Sequence, residues 1–110
     1  MNILLLGSSG FLGKKIYENI KSIDSVKIFH NGLLKKKYNL RSVRKLEKII
    51  KGSKPNLIIN ASAISDIDIC EKNKKQTYQI NVGLVNNIFK IKKKNRMKFF
   101  FFSIFYRSHL

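Results

Sequence analysis

Apolar and polar residues follow two patterns that alternate along the chain. Four short apolar runs, at residues 2–6, 26–29, 56–60 and 97–103, predict buried strands. Segments around 11–21, 42–52 and 74–92 instead repeat apolar residues at spacings of three and four, which predicts amphipathic helices. Alternating strands and helices predict an α/β fold with a parallel sheet. Because the strands are apolar throughout, we expect helices on both faces of the sheet.

This arrangement is that of a partial Rossmann fold, for which we predict about four parallel strands in the order 3-2-1-4. In that order the fourth strand is an edge, and its four consecutive Phe residues predict self-association through it. The third helix is predicted to bury Tyr78, Val82, Val85 and Phe89. The lysine run at 92–94 would place cations at the negative end of that helix's dipole.

The strong positive charge narrows the function less than it first suggests. A net charge of +17 on 110 residues is typical of proteins that bind nucleic acid or anionic membranes. The cations, however, are 19 Lys and 4 Arg, and Ile (16) and Asn (11) are also abundant. These three residue types share AT-rich codons, so we favour genome composition over a specific nucleic-acid site, since dedicated sites use more Arg.

Cysteine content and hydropathy bear on location and metals. The single Cys70 excludes a disulfide framework and a Cys-rich zinc site, and the two histidines show no metal-binding spacing. No apolar run approaches the ~18 residues of a membrane span, and no basic segment precedes an apolar one at the N-terminus. We therefore expect a cytoplasmic protein with no membrane partner and no metal.

Three glycines between the first strand and the first helix carry the clearest chemical signal. Gly7, Gly10 and Gly13 are spaced Gly-x-x-Gly-x-x-Gly. Gly7 would permit the tight turn, Gly10 would let a pyrophosphate approach the backbone, and Gly13 would let the helix lie close to the sheet. The helix N-terminus would then offer N–H groups and a positive dipole to the phosphates. This context predicts dinucleotide binding.

The residues that would choose between NAD and NADP are ambiguous. The acidic residue expected at the end of the second strand is absent, and Phe-His-Asn occupies that place at 29–31. Lysines at 35–37 could accommodate a 2′-phosphate or could simply form a solvated loop. The sequence leaves NAD and NADP both open.

Together these motifs resemble the dTDP-4-dehydrorhamnose reductase (RmlD-like) family of extended short-chain dehydrogenase/reductases. The Pro-Asn-Leu-Ile-Ile-Asn-Ala-Ser-Ala run at 55–63 is similar to that family's Pro-Asp-x-x-Ile-Asn-Ala-Ala-Ala. Asp68 and Glu71 match the Val-Asp-x-x-Glu that follows there, and Asn81 matches an Asn of the next helix. The His and Asp more frequent in sugar-nucleotide epimerases and dehydratases are missing. The resemblance is collinear over about residues 2–103.

The resemblance implies an NAD(P)H-dependent reduction of a 4-keto nucleotide sugar in cell-surface polysaccharide synthesis, with roles for specific residues. Gly10, Phe11 and Leu12 would lie on the pyrophosphate, beside Gly7 and Gly13. Residues Asn39 and Leu40 would flank the adenine, and Ser62, Ala63 and Ile64 would line the nicotinamide-side ribose. Ser103 would lie near the substrate.

The chain departs from the family in its catalytic residues. The family's Tyr-x-x-x-Lys pair follows the fourth strand, whereas the formal match here, Tyr17 to Lys21, lies on the first helix and is predicted to pack there. Ile104 replaces the catalytic Thr or Ser. We therefore expect residues 1–103 to form a truncated NAD(P)-binding domain, 104–110 to be a tail outside the family pattern, and the chain to be inactive alone, with no catalytic residue assigned.

Three other functions stay open at this stage. One is a non-catalytic dinucleotide-binding module, and another is a fragment of a sugar-nucleotide epimerase or dehydratase. The third, more remote, is a small basic nucleic-acid-binding protein, which would have no need for three glycines in this register.

Overall fold

The fold was analysed in a computed structural model, which describes residues 1–8, 10–31, 43–61 and 82–104. Four parallel strands and three helices follow one another in this part of the chain. They are β1 (Asn2–Leu6), α1 (Phe11–Ile20), β2 (Lys27–Asn31), α2 (Val43–Ser53), β3 (Leu57–Asn60), α3 (Leu84–Lys94) and β4 (Phe100–Ser103). The predicted α/β fold with a parallel four-stranded sheet is confirmed.

The strand order is β2-β1-β3-β4, so the predicted order 3-2-1-4 is wrong. β3 does not lie outside β2 but between β1 and β4. Two hydrogen bonds fix this neighbour: the Asn2 N–H donates to Asn56 Oδ1 at 2.7 Å, and the Asn56 N–H donates to the Asn2 carbonyl at 2.8 Å. β2 exposes Lys27 and His30 and suits an edge, whereas β3 buries Ile58 completely and needs a neighbour on each side.

Helices lie on both faces of the sheet, as expected. Leu4, Leu6 and Ile58 form a buried cluster with residues of α2 and α3, so this side is called the α2/α3 face. Ile3 and Leu5 point to the opposite side, the α1 face, because successive strand residues alternate. The chain moves from β1 to β2 in one direction and from β2 through β3 to β4 in the other. Right-handed crossovers then place α1 on one face and α2 with α3 on the other.

The buried stripe of α3 differs from the predicted one. Leu84, Ile88 and Ile91 are buried at 0–1% exposure, whereas Val82 is 38% and Phe89 48% exposed. Val85 is half-buried, and Tyr78, the fourth residue of the predicted stripe, lies outside the described residues. Both sets fit a helical period of 3.6, so the sequence could not separate them. Packing against the strongly apolar α2/α3 face selects the set with the larger aliphatic side chains. Phe89 instead meets Phe101 edge-on, with ring centroids 5.6 Å apart.

Polar contacts join α2 to α3 at the end of α3. Asn95 Nδ2 donates to Glu47 Oε2 at 2.8 Å, and Lys94 Nζ lies 3.3 Å from the same oxygen. The Asn95 amide holds the pKa of Glu47 below its usual value of 4.5, with Lys94 acting in the same direction and partial burial acting against both. The lysine run at 92–94 occupies the last turn of α3, as predicted, and Lys92 Nζ donates to the Phe99 carbonyl at 2.9 Å.

Several boundaries also differ from expectation. β4 begins at Phe100 and not at 97, and α3 ends at Lys94 and not at 92. β2 continues to Asn31, two residues beyond the predicted end, so His30 belongs to the strand. α2 does not end at Gly52 but runs to Ser53, and the residue after it, Lys54, has the left-handed φ of 44°. No helix among the described residues is long and apolar enough to cross a membrane.

Candidate functional site

The carboxyl ends of β1 and β3 mark where the topology changes direction. The connection after β1 leads toward β2, while the one after β3 leads toward β4, on opposite sides. A crevice outside such neighbouring strand ends is the usual ligand site of open α/β sheets. The parallel register brings Leu6, Asn31 and Asn60 level with one another, and Asn60 level with Ser103. The four strands therefore end together, and three of them end in a polar residue.

The glycine loop joins β1 to α1 at this edge. Gly7 is buried and has a φ of 82°, a left-handed conformation that L-amino acids with side chains rarely adopt. The Gly10 N–H donates to the Gly7 carbonyl at 3.1 Å, which closes the turn. Gly10 itself is extended, with φ −78° and ψ 169°, and is the N-cap of α1. The predicted tight turn is thus present at Gly7.

Gly10 and Gly13 differ in what surrounds them. A Cβ on Gly13 would lie 2.7 Å from the carbonyl carbon of Gly7 and would overlap its oxygen, so Gly13 is needed for α1 to lie against the loop. A Cβ on Gly10 would lie 3.5 Å from the same oxygen, an ordinary contact. Internal packing explains the glycine at 13 but not the one at 10. A group outside the described residues that approaches the backbone would explain Gly10.

The N-terminus of α1 is suited to an anion. Its N-cap residue, Gly10, makes no side-chain capping hydrogen bond, and its first turn contains no acidic residue. Phe11, the first helical residue, is 63% exposed, and Leu12 is half-buried. The positive end of the helix dipole therefore faces the sheet edge without a carboxylate of its own helix to neutralise it.

A small polar cluster lies beside this loop, at the end of β2. Ser8 Oγ is 3.1 Å from His30 Nδ1, and the Tyr17 ring packs on the His30 ring with centroids 4.6 Å apart and a tilt of 57°. Lys21 Nζ in turn lies 5.9 Å from the centroid of the Tyr17 ring. The Tyr17-x-x-x-Lys21 match therefore packs on α1 and β2, in agreement with the packing role predicted for it.

A second polar pair lies at the ends of β3 and β4. Asn60 is fully buried, and its Nδ2 donates to Ser103 Oγ at 3.2 Å. Ser103 is exposed, so one side of its hydroxyl is held while the residue faces solvent. A hydroxyl fixed in this way at the sheet edge can hydrogen bond a polar substrate.

Five of the predicted cofactor residues, Asn39, Leu40, Ser62, Ala63 and Ile64, lie outside the described residues. Within the described ranges, no three His, Cys, Asp or Glu side chains come together as a metal site would require.

Two features were missed by sequence reasoning. The cluster of Ser8, Tyr17 and His30 was missed because only a carboxylate was sought at the end of β2. The role of Asn60 was missed because its partner is 43 residues away. A polar residue that follows three apolar strand residues was the available signal for Asn60.

Comparison with known proteins finds structures with a similar fold. A dTDP-4-dehydrorhamnose reductase from Bacillus anthracis str. Ames in complex with NADP superposes with a TM-score of 0.75 at 19% identity, covering 89% of this chain and 34% of that one. A hypothetical dTDP-4-dehydrorhamnose reductase from Sulfolobus tokodaii has a TM-score of 0.69 at 28% identity, covering 96% and 38%. No curated protein matches the sequence.

A third structure shows that the fold alone does not select one activity. The UDP-glucose 4-epimerase of Thermus thermophilus, in complex with NAD, has a TM-score of 0.72 at 17% identity and covers 88% of this chain and 35% of its own. The chain thus spans about a third of the length of these proteins. The family model of the RmlD substrate binding domain, however, matches residues 1–106, and the chain therefore belongs to that family.

Proposed function

We propose that these 110 residues supply the NAD(P)H-binding part of a reductase that acts on a 4-keto nucleotide sugar, as dTDP-4-dehydrorhamnose reductases do. One observation carries the proposal. Among the described residues, a Cβ on Gly10 would make only an ordinary contact, 3.5 Å from the Gly7 oxygen, at a helix N-terminus whose N-cap makes no side-chain hydrogen bond, although Gly13, one turn later, is fixed by packing. A pyrophosphate on the backbone of residues 10–12 accounts for that difference.

One end of the sheet edge would bind the cofactor and the other would bind the sugar. A bound nicotinamide dinucleotide supplies a hydride to the keto carbon of the sugar. The glycine loop would hold its pyrophosphate, with Phe11 and Leu12 contributing backbone N–H groups. Ser103, held by Asn60, would hydrogen bond the sugar. A cytoplasmic location, where a single cysteine stays reduced, is part of the proposal.

Among the described residues, no tyrosine is well placed to donate the proton to the reduced oxygen. Tyr17 packs on His30 of β2, whereas Ser103 lies on β4, the opposite edge of the four-stranded sheet. Three strand spacings separate these edges, about 14 Å. We therefore propose that the 110 residues bind the dinucleotide but do not turn over substrate by themselves.

Binding is tested first, by calorimetry with NADH and NADPH. Gly10→Ala should fold, because its Cβ makes only an ordinary contact, and should lose affinity at least about tenfold by displacing the pyrophosphate from the helix N–H groups. Gly10→Val should lose more. Gly52→Ala is the matched control, since nothing lies within 4 Å of that added Cβ. Wild-type affinity in Gly10→Val would show that the loop is only a turn.

Activity is tested separately, by following NAD(P)H oxidation with dTDP-4-dehydrorhamnose. The purified 110-residue chain should not exceed the protein-free rate. Tyr17→Phe is the accompanying variant, because it removes the hydroxyl and keeps the ring on His30. Turnover that disappears in Tyr17→Phe would assign Tyr17 as the proton donor and refute the proposed lack of activity.

A further inference from the structure

We propose that His30 contacts the 2′ position of the adenosine ribose, and that its protonation makes the site prefer NADP(H) over NAD(H). The inference rests on the proposed dinucleotide binding and adds a specificity-determining residue to it. It assigns to a histidine the place where a carboxylate was expected and not found.

The position of His30 carries the first step. It lies 20 residues after Gly10, at the carboxyl end of β2, and its Cα is in register with Leu5, next to the glycine loop. In a dinucleotide-binding sheet, the residue about 20 positions after the glycines at this strand end meets the ribose hydroxyls. Neither neighbour of His30, Phe29 or Asn31, is acidic, so the imidazole is the titratable group of this strand end.

The second step is the orientation of the imidazole. Ser8 Oγ engages Nδ1 at 3.1 Å, and the Tyr17 ring lies against the imidazole ring at 4.6 Å between centroids. Ser8 belongs to the loop that would hold the pyrophosphate, so it ties the histidine to that loop. Within the described ranges Nε2 has no protein partner, and His30 is exposed. Nε2 is thus the atom left for a ligand.

Protonation changes what the imidazole can do. A neutral imidazole has one N–H donor and one acceptor, and the Ser8 hydroxyl can take either role toward Nδ1. A 2′-hydroxyl can therefore bond Nε2 in either tautomer. Once the ring is protonated, both nitrogens donate: Nδ1–H to Ser8 Oγ and Nε2–H outward. A donating, charged Nε2–H gives a phosphate a charge-assisted hydrogen bond that a hydroxyl cannot match.

The groups that face His30 include no anion among the described residues. Tyr17 of α1 packs against His30, and the Lys21 ammonium lies 5.9 Å from the centroid of the Tyr17 ring. Ser8 of the loop contacts Nδ1, and the neighbouring residue of β1 is the apolar Leu5. No carboxylate among the described residues pairs with it. A protonated His30 would therefore find its anion in the ligand and not in the protein.

The test compares dissociation constants of NADPH and NADH at about pH 6 and about pH 8, which bracket the range where histidines change charge. His30→Gln keeps a hydrogen-bonding side chain and cannot become charged. The 2′-phosphate itself titrates near pH 6, and this contribution is common to both proteins. Relative to His30→Gln, the wild type should prefer NADPH by a further factor of about ten at the lower pH, and by much less at the higher.

His30→Asp tests the position independently of pH. A carboxylate accepts a hydrogen bond from a 2′-hydroxyl and repels a 2′-phosphate, so NADPH affinity should fall by at least about tenfold while NADH affinity is kept or improved. Ser8→Ala should reduce the pH dependence without abolishing NADH binding, because Ser8 positions the imidazole.

The ways in which the test can fail are distinct. If the wild type binds neither dinucleotide, the proposed function fails and this inference fails with it. If it binds them but His30→Gln and His30→Asp keep the wild-type preference at both pH values, dinucleotide binding stands and the role of His30 is refuted. Circular dichroism of each variant confirms that the exposed substitution leaves the fold intact.

Discussion

The α1 face of the sheet has two halves that are built from similarly apolar strands but differ in how far they are buried. Over β1, Ile3 and Leu5 are 4% and 0% exposed, because α1 packs there. Over β4, on the same face, Phe100 and Phe102 are 77% and 59% exposed. The α2/α3 face, by contrast, is buried from β1 to β3. A continuous apolar strand therefore does not guarantee two covered faces, since coverage depends on where the helices are anchored.

The anchor of the covered half is a backbone contact. α1 can approach β1 because Gly13 has no Cβ to meet the Gly7 carbonyl. No such anchor exists over β4 within the described ranges, where Leu57, Phe100 and Phe102 line a groove with Lys92 and Lys98 at its rim. The glycine loop is thus supported by the covered half, while the other half presents apolar surface.

The largest effect on stability is expected when the buried member of two adjacent phenylalanines, which point to opposite faces, is replaced. Phe99→Ala should lower the free energy of unfolding by about 3–5 kcal/mol, because Phe99 is 6% exposed and belongs to the core. Phe100→Ala, at 77% exposure, should cost less than about 1 kcal/mol. Urea denaturation measures both. Equal losses would mean that the open half is covered in solution.

The second prediction removes the anchor of the covered half. Gly13→Ala should cost about 1–3 kcal/mol or more, because a Cβ there meets backbone atoms of the loop that cannot yield as a side chain would. Gly52→Ala, in a helix with open space around it, should instead stabilise by about 0.5–1 kcal/mol. Thermal unfolding of the pair checks the signs. A neutral Gly13→Ala would show that α1 is not held by this contact.

The third prediction concerns the open half. β4 is an edge strand, and we expect self-association through it that increases with salt, because the net charge of +17 opposes contact until it is screened within about 8–10 Å. Replacing Phe100 and Phe102 with Thr, a residue that favours strands, should reduce association. Val43→Thr, at an exposed position of α2, is the control. A wild-type monomer at low and high salt in sedimentation velocity would refute the prediction.

The smallest effect is expected in the pH dependence of stability, from Glu47, which joins α2 to α3. Its pKa is lower in the folded chain than the usual 4.5, so its stabilising contribution is present above about pH 4.5 and is lost as pH falls through the folded-state pKa. Glu47→Gln keeps an oxygen for Asn95 and should flatten this dependence slightly. Urea midpoints at about pH 3 and about pH 6 measure the change. An unchanged difference between the two pH values would exclude Glu47 as its source.

Local features of the fold were predictable from the sequence. The turn at Gly7 and the close packing at Gly13 follow from residue type and spacing, because no other residue lacks a Cβ. The strand order did not follow, because it depends on contacts such as that between Asn2 and Asn56, 54 residues apart. The buried stripe of α3 did not follow either, since two stripes satisfy the same period.

The candidate site was predictable where its chemistry is carried by the backbone. The glycine loop was found from its spacing and its place between a predicted strand and a predicted helix, whereas the Ser8–His30 contact requires that the ends of β1 and β2 be neighbours. The pairing of Asn60 with Ser103 requires the position of β4 beside β3. Side chains that meet only through the sheet register cannot be paired from the sequence by itself.

The buried amide of Asn60 solves a problem of alignment in β4. Four identical phenylalanines in a row look the same after a shift of one residue, and such a slip would exchange the buried and exposed rings. Hydrophobicity alone therefore cannot fix the alignment of this strand. The hydrogen bond from Asn60 to Ser103 is made in this alignment, whereas a slip of one residue would place Phe102 or Ile104 beside the fully buried Asn60 in place of Ser103. A single polar pair thus makes a repetitive strand unambiguous.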